Sequence, residues 1–129
     1  MKLLLDTHIF WWVLNDPAHL PPRVRAAVSD PRSTLLCSSV TPWEIATKHR
    51  LGKFPEAGTL VESFPEQLAR LGARELPVSN SHGLLAGRLE WAHRDPFDRM
   101  LAAQSLLEGA RLVTSDHAFS TLPGVDIFW

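Results

Sequence analysis

Short apolar runs alternate with helix-like segments along the whole chain, and this alternation restricts the fold more than any other feature of the sequence. A continuous apolar run of only a few residues suits a strand that is buried on both faces, as in a parallel sheet covered by helices. Such strands are predicted at residues 3–5, 34–37, 74–78, 112–115 and 125–128. The order of segments therefore predicts an α/β fold with a parallel sheet that carries helices on both faces.

Capping and terminating residues bound the helical segments between these strands. Thr41 and Asp95 stand where N-cap residues are expected. Gly52 and Gly109 follow helical segments, where a left-handed backbone commonly ends a helix. Helices are predicted around residues 9–14, 22–29, 41–51, 59–71, 79–91 and 95–107. No repeat or long linker divides the chain, so residues 1–129 are predicted to form one domain.

The composition argues against several classes of protein. The formal net charge is −1, from 13 basic and 14 acidic residues, which disfavours a broad surface that coats nucleic acid. No apolar stretch approaches the roughly 20 residues of a membrane helix, and the first apolar run ends at Asp6, too early for a secretory signal. Cys37 is the single cysteine, which excludes an intramolecular disulfide. We therefore expect a cytoplasmic protein that is not bound to a membrane.

Four carboxylates lie where strands end or helices begin. Asp6 and Asp116 follow apolar runs, while Glu44 and Asp98 each come shortly after a proline that opens a helical segment. Because the carboxyl ends of parallel strands share one edge of the sheet, these acids can meet there although they are distant in sequence. Two carboxylates about 4 Å apart repel by roughly 4 kcal/mol at an effective dielectric constant near 20. A cluster of them needs a positive partner, and a divalent cation that prefers oxygen ligands is the simplest one.

Each acid also has an ordinary structural explanation. Glu44 follows Thr41 at the spacing of a capping box, and an aspartate at a strand end is often a turn or cap residue. Asp95 is better placed than Asp98 to cap its helix, so we expect Asp98 in the cleft and keep Asp95 as an open candidate for a metal ligand. The histidines show no spacing typical of a zinc site, and no glycine-rich phosphate loop occurs.

Four segments together resemble the PIN-domain ribonucleases, and most closely the VapC-type toxins of bacterial toxin–antitoxin pairs. The matching segments are LLLDTH at residues 3–8, TPWEI at 41–45, HRDPFDRMLAAQ at 93–104 and LVTSD at 112–116. They span nearly the whole chain in the family's order, and the third is quite specific. The resemblance implies a single PIN-like domain with a five-stranded parallel sheet flanked by helices on both faces.

The resemblance also implies an activity and a set of partners. The implied activity is endonucleolytic hydrolysis of RNA by a water molecule that Mg²⁺ or Mn²⁺ activates. Thr7 and Ser115 are candidate partners that orient the aspartates. The implied binding partners are RNA, a cognate antitoxin protein and a second copy of the chain, with a larger toxin–antitoxin assembly as a further option. The implied catalytic and metal-binding residues are Asp6, Glu44, Asp98 and Asp116.

Several basic side chains are candidates for contacting the RNA backbone, and they are Lys48, Arg50, Arg94 and Arg99. Two other functions remain open. The chain is either a catalytically silent PIN-fold binding module or, with less support, a receiver-like phospho-acceptor domain. A receiver-like domain would need adjacent acids after its first strand and a lysine near its last, and the sequence offers neither.

The segment IFWWVL at residues 9–14 is apolar on every side of a helix. Consecutive side chains of a helix point about 100° apart, so Trp11 and Trp12 cannot share one narrow core contact. Either the helix is wrapped by its own domain, or one tryptophan lies at a surface that a second subunit or an antitoxin helix covers.

Overall fold

Five parallel strands form one sheet at the centre of the molecule. The computed structural model describes the whole chain, Met1–Trp129. The strands are β1 (Lys2–Leu5), β2 (Thr34–Ser38), β3 (Arg74–Leu76), β4 (Arg111–Val113) and β5 (Ile127–Phe128). Their order is β3-β2-β1-β4-β5, and every neighbouring pair is parallel. The predicted five-stranded parallel sheet is confirmed. Strands β2 and β3 lie on one side of β1, and β4 and β5 lie on the other, so the strand order reverses at the boundary between β1 and β4.

Seven α-helices connect and cover the strands. They are α1 (Thr7–Asn15), α2 (Pro22–Ser29), α3 (Val40–Arg50), α4 (Gly58–Glu62), α5 (Phe64–Leu71), α6 (Asn80–Arg88) and α7 (Pro96–Glu108). Short 3-10 turns lie at Pro17–His19, Pro55–Ala57 and His117–Thr121. None of these helices has the length and apolarity that a membrane crossing requires.

The central strand β1 is buried on both faces, because side chains alternate along a strand. Leu3 and Leu5 pack into one hydrophobic cluster with Phe10 of α1. Leu4 packs on the opposite face, in a second cluster that includes Leu101 of α7. Fully burying a leucine stabilises the fold by about 1.5–3 kcal/mol. The continuous apolar run at the start of the chain predicts a strand that is buried between two helical layers, and the structure confirms it.

The predicted helix ends are confirmed at both glycines. Gly52 and Gly109 have φ angles of +73° and +60°, a left-handed conformation that costs a residue with a Cβ atom more than it costs glycine. Asp95 caps α7 by accepting hydrogen bonds from the N–H groups of Phe97 and Asp98.

The predicted cap at Thr41 is wrong. Helix α3 begins at Val40, so Thr41 lies inside it, and the N-cap residue is Ser39. The backbone N–H of Ser39 donates to Leu76 O of β3 at 3.0 Å. Pairing with the neighbouring strand therefore ties down the start of this helix, and the Thr41 hydroxyl is buried without a hydrogen-bond partner.

The two neighbouring tryptophans of α1 are both half-buried within their own domain. Trp11 meets Phe54 edge-on with ring centroids 5.2 Å apart. Trp12 stacks on His19 at 4.2 Å, with 24° between the ring planes. The chain itself therefore covers part of each indole.

Candidate active site

An acidic cleft of about 490 Å³ opens at the carboxyl edge of the sheet, where β1 and β4 lie side by side. In open parallel sheets ligands bind at such a reversal of strand order, beyond the carboxyl ends of the strands. β1 delivers one aspartate and β4 delivers another, while α3 and α7 deliver the remaining acids. The carboxylates that line the cleft are Asp6, Glu44, Asp95, Asp98 and Asp116. The structure thus places all four expected site acids in the wall of one cleft, together with the open candidate Asp95.

Asp6 is held at the junction of the two central strands. Its backbone N–H donates to Val113 O at 3.0 Å, which continues the pairing of β1 with β4. Its Oδ1 accepts from the Thr7 N–H and its Oδ2 from the Thr114 hydroxyl, each at 2.7 Å. Burial raises the pKa of Asp6 above its usual value, the two hydrogen bonds oppose that rise, and the charge of Glu44 adds to it.

Glu44 is buried and points into the cleft rather than back to the start of its helix. Its Oε1 accepts from the Thr7 hydroxyl at 2.6 Å, and its Oε2 accepts from the ammonium of Lys48. The capping-box explanation therefore fails for Glu44, since Thr41 is not the cap and Thr7 occupies one carboxylate oxygen.

Lys48 is the one lysine among the residues that line the acidic cleft. Burial alone would lower the pKa of Lys48, but the hydrogen bond to Glu44 and the charges of Glu44, Asp95 and Asp98 hold it above its usual value. From the sequence Lys48 is a candidate for contacting the RNA backbone, whereas in the structure its ammonium lies on an acid of the cleft.

Asp98 and Asp95 occupy different positions at the start of α7. Asp95 Oδ1 receives the two capping hydrogen bonds, at 2.9 and 3.1 Å. Asp98 Oδ2 lies 2.7 Å from His93 Nε2. Burial raises the pKa of Asp98 to about 6; the hydrogen bond to His93 opposes this, and the charges of Asp95, Asp6 and Glu44 reinforce it.

Asp116 lies at the exposed rim of the cleft. Its Oδ1 accepts from the Ala118 N–H at 2.9 Å and so caps the following 3-10 turn. Its own N–H donates to the Thr114 hydroxyl at 3.0 Å. That hydroxyl in turn donates to the carboxylate of Asp6. Thr114 therefore bridges the backbone of Asp116 and the side chain of Asp6.

Two of the expected orienting contacts are corrected by these bonds. The Thr7 hydroxyl orients Glu44, and only the Thr7 N–H contacts an aspartate. Ser115 lines the cleft, but its hydroxyl forms no hydrogen bond, and Thr114 supplies the contact expected of it. The register of the sheet could have identified Thr114, because it pairs Leu5 with Val113 and so sets the next residues side by side.

His93 is a site residue that sequence reasoning did not assign, although it begins the most specific matching segment. Its ring contacts Asp98 and also packs against Trp91 at 4.9 Å. A histidine five residues before an aspartate is not a recognisable sequence signal. The two side chains meet only because of the turn between α6 and α7.

Arg99 is wrongly assigned to the RNA backbone. Its guanidinium donates to the backbone carbonyls of four residues at 2.8–2.9 Å, namely Ala86, Leu89, Trp91 and His93. These bonds hold the connection between α6 and α7. They leave the guanidinium without a pair of free N–H groups that could bind a phosphate. Arg50 and Arg94 are exposed and have no ion-pair partner, so both remain available to an anion.

The donor chemistry of the cleft fits a divalent hard cation. All five carboxylates offer oxygen, and three of them leave one oxygen without a hydrogen-bond partner: Asp95 Oδ2, Asp98 Oδ1 and Asp116 Oδ2. No three such side chains, however, stand close enough together to share an ion. Lys48 is bonded to Glu44, and His93 is bonded to Asp98. The side chains of these two pairs must therefore move before the acids can bind one cation together.

Comparison with known proteins places this arrangement in context. Ribonuclease VapC16 of Mycobacterium tuberculosis is 38% identical over 58 residues, which are 45% of this chain and 41% of that relative. The match thus spans about two fifths of the length of that curated relative.

Solved structures with the same fold cover almost the whole chain. One is VapBC2 from Rickettsia felis bound to a DNA fragment from its promoter, with 18% identity, a TM-score of 0.66 and coverage of 99% of this chain and 98% of that one. Another is DNA-bound VapBC from Salmonella typhimurium, with 23% identity, a TM-score of 0.69 and coverage of 99% and 97%. At these identities the likeness establishes the fold. The family described as the PIN domain matches residues 3–125, and this chain therefore belongs to it.

Proposed function

We propose that this protein is a metal-dependent endoribonuclease and the toxin of a toxin–antitoxin pair. The observation that carries the proposal is the cleft itself, which gathers five carboxylates at the junction of β1 and β4. Burial and mutual repulsion raise the pKa values of Asp6 and Asp98 there. Such crowding is unfavourable for folding unless the acids serve to bind positive charge.

The proposed cofactor is Mg²⁺ or Mn²⁺, held by Asp6, Glu44, Asp98 and Asp116, with Asp95 as an additional ligand or only a cap. When bound, such a cation supplies an activated water and stabilises the negative charge that develops at the phosphorus. Thr114 and the Thr7 N–H fix both oxygens of Asp6, and the Thr7 hydroxyl fixes Glu44. These bonds keep the acids aimed into the cleft and reduce the reorganisation that substrate binding requires.

Two basic groups prepare the cleft for its proposed role. Lys48 neutralises Glu44, and His93 contacts Asp98, so the acids remain close together before a cation binds. We propose that Lys48 leaves Glu44 when the cation enters and turns toward the negatively charged substrate. The exposed Arg50 and Arg94 are proposed to hold phosphates further along the strand.

RNA is the proposed substrate because the relative that matches part of the chain is named a ribonuclease. An antitoxin partner is proposed because structures that share the fold are described as VapBC complexes. We further propose a homodimer that acts in the cytoplasm and assembles with its antitoxin into a larger complex.

A second candidate is a binding module that keeps the fold without catalysis. The observation in its favour is that no three of the acids stand close enough to share an ion. A nuclease assay separates the two functions. Labelled single-stranded RNA is incubated with Mg²⁺, with Mn²⁺ and with excess chelator, and the cleavage products are resolved by length.

The assay needs a variant that removes one ligand and a control that removes the same charge elsewhere. Asp6→Asn is expected to reduce cleavage to background. Glu62→Gln, on the exposed side of α4, is expected to retain wild-type cleavage. Cleavage that persists in chelator, or in Asp6→Asn at saturating Mg²⁺, contradicts the metal-dependent nuclease. No cleavage under any condition favours the silent module.

A further inference from the structure

A second cavity, of about 410 Å³, adjoins the acidic cleft, and we refer to it as the aromatic cavity. The two share His8, Trp12 and Lys48 in their walls, so they form one continuous depression. Trp12 is the single hydrophobic residue in the wall of the acidic cleft. A volume of this size lies within the range of roughly 300–1,000 Å³ that is usual for small-molecule sites.

Ring systems line the aromatic cavity, and packing holds them in place. Trp12 is stacked on His19 at 4.2 Å, and Trp11 meets Phe54 edge-on at 5.2 Å. His8 lies parallel to Phe54, with the centroids 5.8 Å apart and 20° between the planes. Rings fixed in this way lose little conformational freedom when a flat ligand stacks on them.

The charges of the aromatic cavity are opposite to those of the acidic cleft. Lys48 and Lys53 line it together with one acid, Glu56. Lys53 is exposed and lines only the aromatic cavity, whereas Lys48 lines both cavities and donates to Glu44. A ligand that extends from one cavity into the other therefore meets the aromatic rings together with two lysines, one that lines both cavities and one that lines only the aromatic cavity. A polynucleotide has the matching pattern, with a flat base between two phosphates.

We infer that the aromatic cavity binds the base of the nucleotide next to the scissile phosphate. The base stacks among Trp11, Trp12 and His8, while Lys53 holds the phosphate on its far side. This inference rests on the proposed function, because that function puts the scissile phosphate in the acidic cleft. Stacking accepts any base, so the cavity selects unpaired strands rather than a particular sequence.

A pair of small ligands tests the inference without knowledge of the RNA target. In ribose 5-phosphate a hydroxyl group stands where adenosine 5′-monophosphate carries its base, and the two molecules are otherwise the same. Their affinities are measured in Ca²⁺, which takes oxygen ligands, by following the indole N–H signals of the protein in NMR titrations. The wild type is expected to bind the nucleotide roughly tenfold more tightly than the sugar phosphate, a ratio within the range for one stacked base.

Three variants locate the base. His8→Ala and Trp12→Leu are expected to bring the ratio of the two affinities close to one. His8 is exposed, so its replacement should leave the fold intact even if Trp12→Leu destabilises it. Trp43→Leu is the matched control, because Trp43 is 60% exposed and lines neither cavity. It is expected to keep the wild-type ratio.

The results separate this inference from the proposed function. A ratio near one in the wild type, or a ratio that neither His8→Ala nor Trp12→Leu lowers, overturns the base site and leaves the cavity to a protein segment. If RNA is nevertheless cleaved, the nuclease function stands alone. A base-dependent ratio that both variants abolish supports the site, even if no RNA is cleaved and the nuclease proposal fails.

Discussion

Asp6 and Asp98 show how a cluster of like charges changes the acid strength of single residues. Each is drawn into a cleft with further carboxylates, and burial is the largest cause of the raised pKa in both. The two differ in their hydrogen bonds. Asp6 receives one on each oxygen, whereas Asp98 contacts only His93. The titration of both acids contributes to the pH dependence of stability, and Asp98 is the one whose raised pKa, about 6, fixes the pH range to examine.

The stability of the metal-free protein is expected to fall as the pH rises through about 6. The pKa of Asp98 is raised from 3.8 to about 6, so the native state binds this proton more tightly than the unfolded chain. The resulting stabilisation is complete below the unfolded value and is lost as the pH passes the folded one. Its size is about 2 kcal/mol, less than the full shift gives, because partial exposure screens the charges.

Urea unfolding in chelator between pH 4 and pH 7.5 measures this effect. The comparison is with Asp98→Asn, which cannot titrate and should lack the Asp98 part of the slope. Wild-type and Asp98→Asn curves that run parallel across this range would contradict the assignment of the raised pKa to Asp98.

The two aspartates at the start of α7 are expected to respond differently to substitution. Asp98→Ala should abolish metal-dependent cleavage, because it removes an acid that points into the cleft. Asp95→Ser should retain much of the activity, because a serine oxygen can still accept from the first N–H groups of the helix. RNA cleavage rates at matched folded concentration decide between them. Equal loss in both variants places Asp95 among the metal ligands.

At the scale of elements, the connection between α6 and α7 is held by one side chain. Arg99 donates to four backbone carbonyls of that connection and of the last turn of α6. The connection carries His93 onto Asp98 and also positions Trp91, whose indole N–H donates to the Thr121 hydroxyl at 2.8 Å. Arg99 thus positions part of the acidic cleft without facing it.

Arg99→Lys is expected to lower the free energy of unfolding by about 1–3 kcal/mol, because an ammonium cannot reach the carbonyls that the planar guanidinium serves. Arg94→Lys, at an exposed site without bonds, should change it by less than about 0.5 kcal/mol. Thermal or urea denaturation provides the comparison. An equally small effect of both substitutions would show that the Arg99 bonds do not stabilise the connection.

RNA binding should reverse the ranking of these two arginines. Arg94→Gln is expected to reduce the salt dependence of RNA affinity by roughly 0.7 in the slope of log K against log salt, the value for one phosphate contact on a single strand. Arg99→Gln, which removes the same charge, should leave the slope unchanged at temperatures where it is folded. A reduced slope for Arg99→Gln would return Arg99 to the RNA-binding surface.

Local sequence signals predicted the elements well where the signal and the packing agree. The apolar run at residues 3–5 is buried in β1, and Gly52 and Gly109 end their helices as expected. Predictions failed where a distant contact decides the outcome. The bond from Ser39 to Leu76 ties down the start of α3 and displaces Thr41 from the cap. The roles of His93, Thr114 and Arg99 were not predicted for the same reason. Their bonding partners are determined by the turn before α7 and by the register of the strands.

At the scale of the whole molecule, apolar surface remains on the side of α6 and α7. Leu84 is 64% exposed and Leu107 is 48% exposed, and both line a shallow depression with Leu85. The tryptophans of α1 are better covered than these leucines. If the proposed homodimer forms, burial of these leucines offers a larger gain than burial of the indoles.

The protein is expected to sediment as a dimer at high micromolar concentration. Leu84→Glu should shift the equilibrium toward monomer, because a charge at a buried apolar contact is unfavourable. Val61→Glu is the control, since Val61 is also exposed but lies on α4. Sedimentation velocity over a range of concentrations gives the answer. A strictly monomeric wild type contradicts the homodimer, and a dimer unaffected by Leu84→Glu places its interface elsewhere.

The pairing of the first strand with the fourth has a consequence for the order in which the protein becomes active. Residues 3–5 lie beside residues 111–113, so Asp6 acquires its partner Thr114 only after the ribosome has released the segment that lies 108 residues further along. Contacts between such distant segments are also slow to form, because a long loop must close first. A nascent chain therefore carries Asp6 and Glu44 without the completed cleft until the segment with Thr114 has emerged. For the proposed toxin, this delay gives an antitoxin that is already present time to meet the chain before it can cleave RNA.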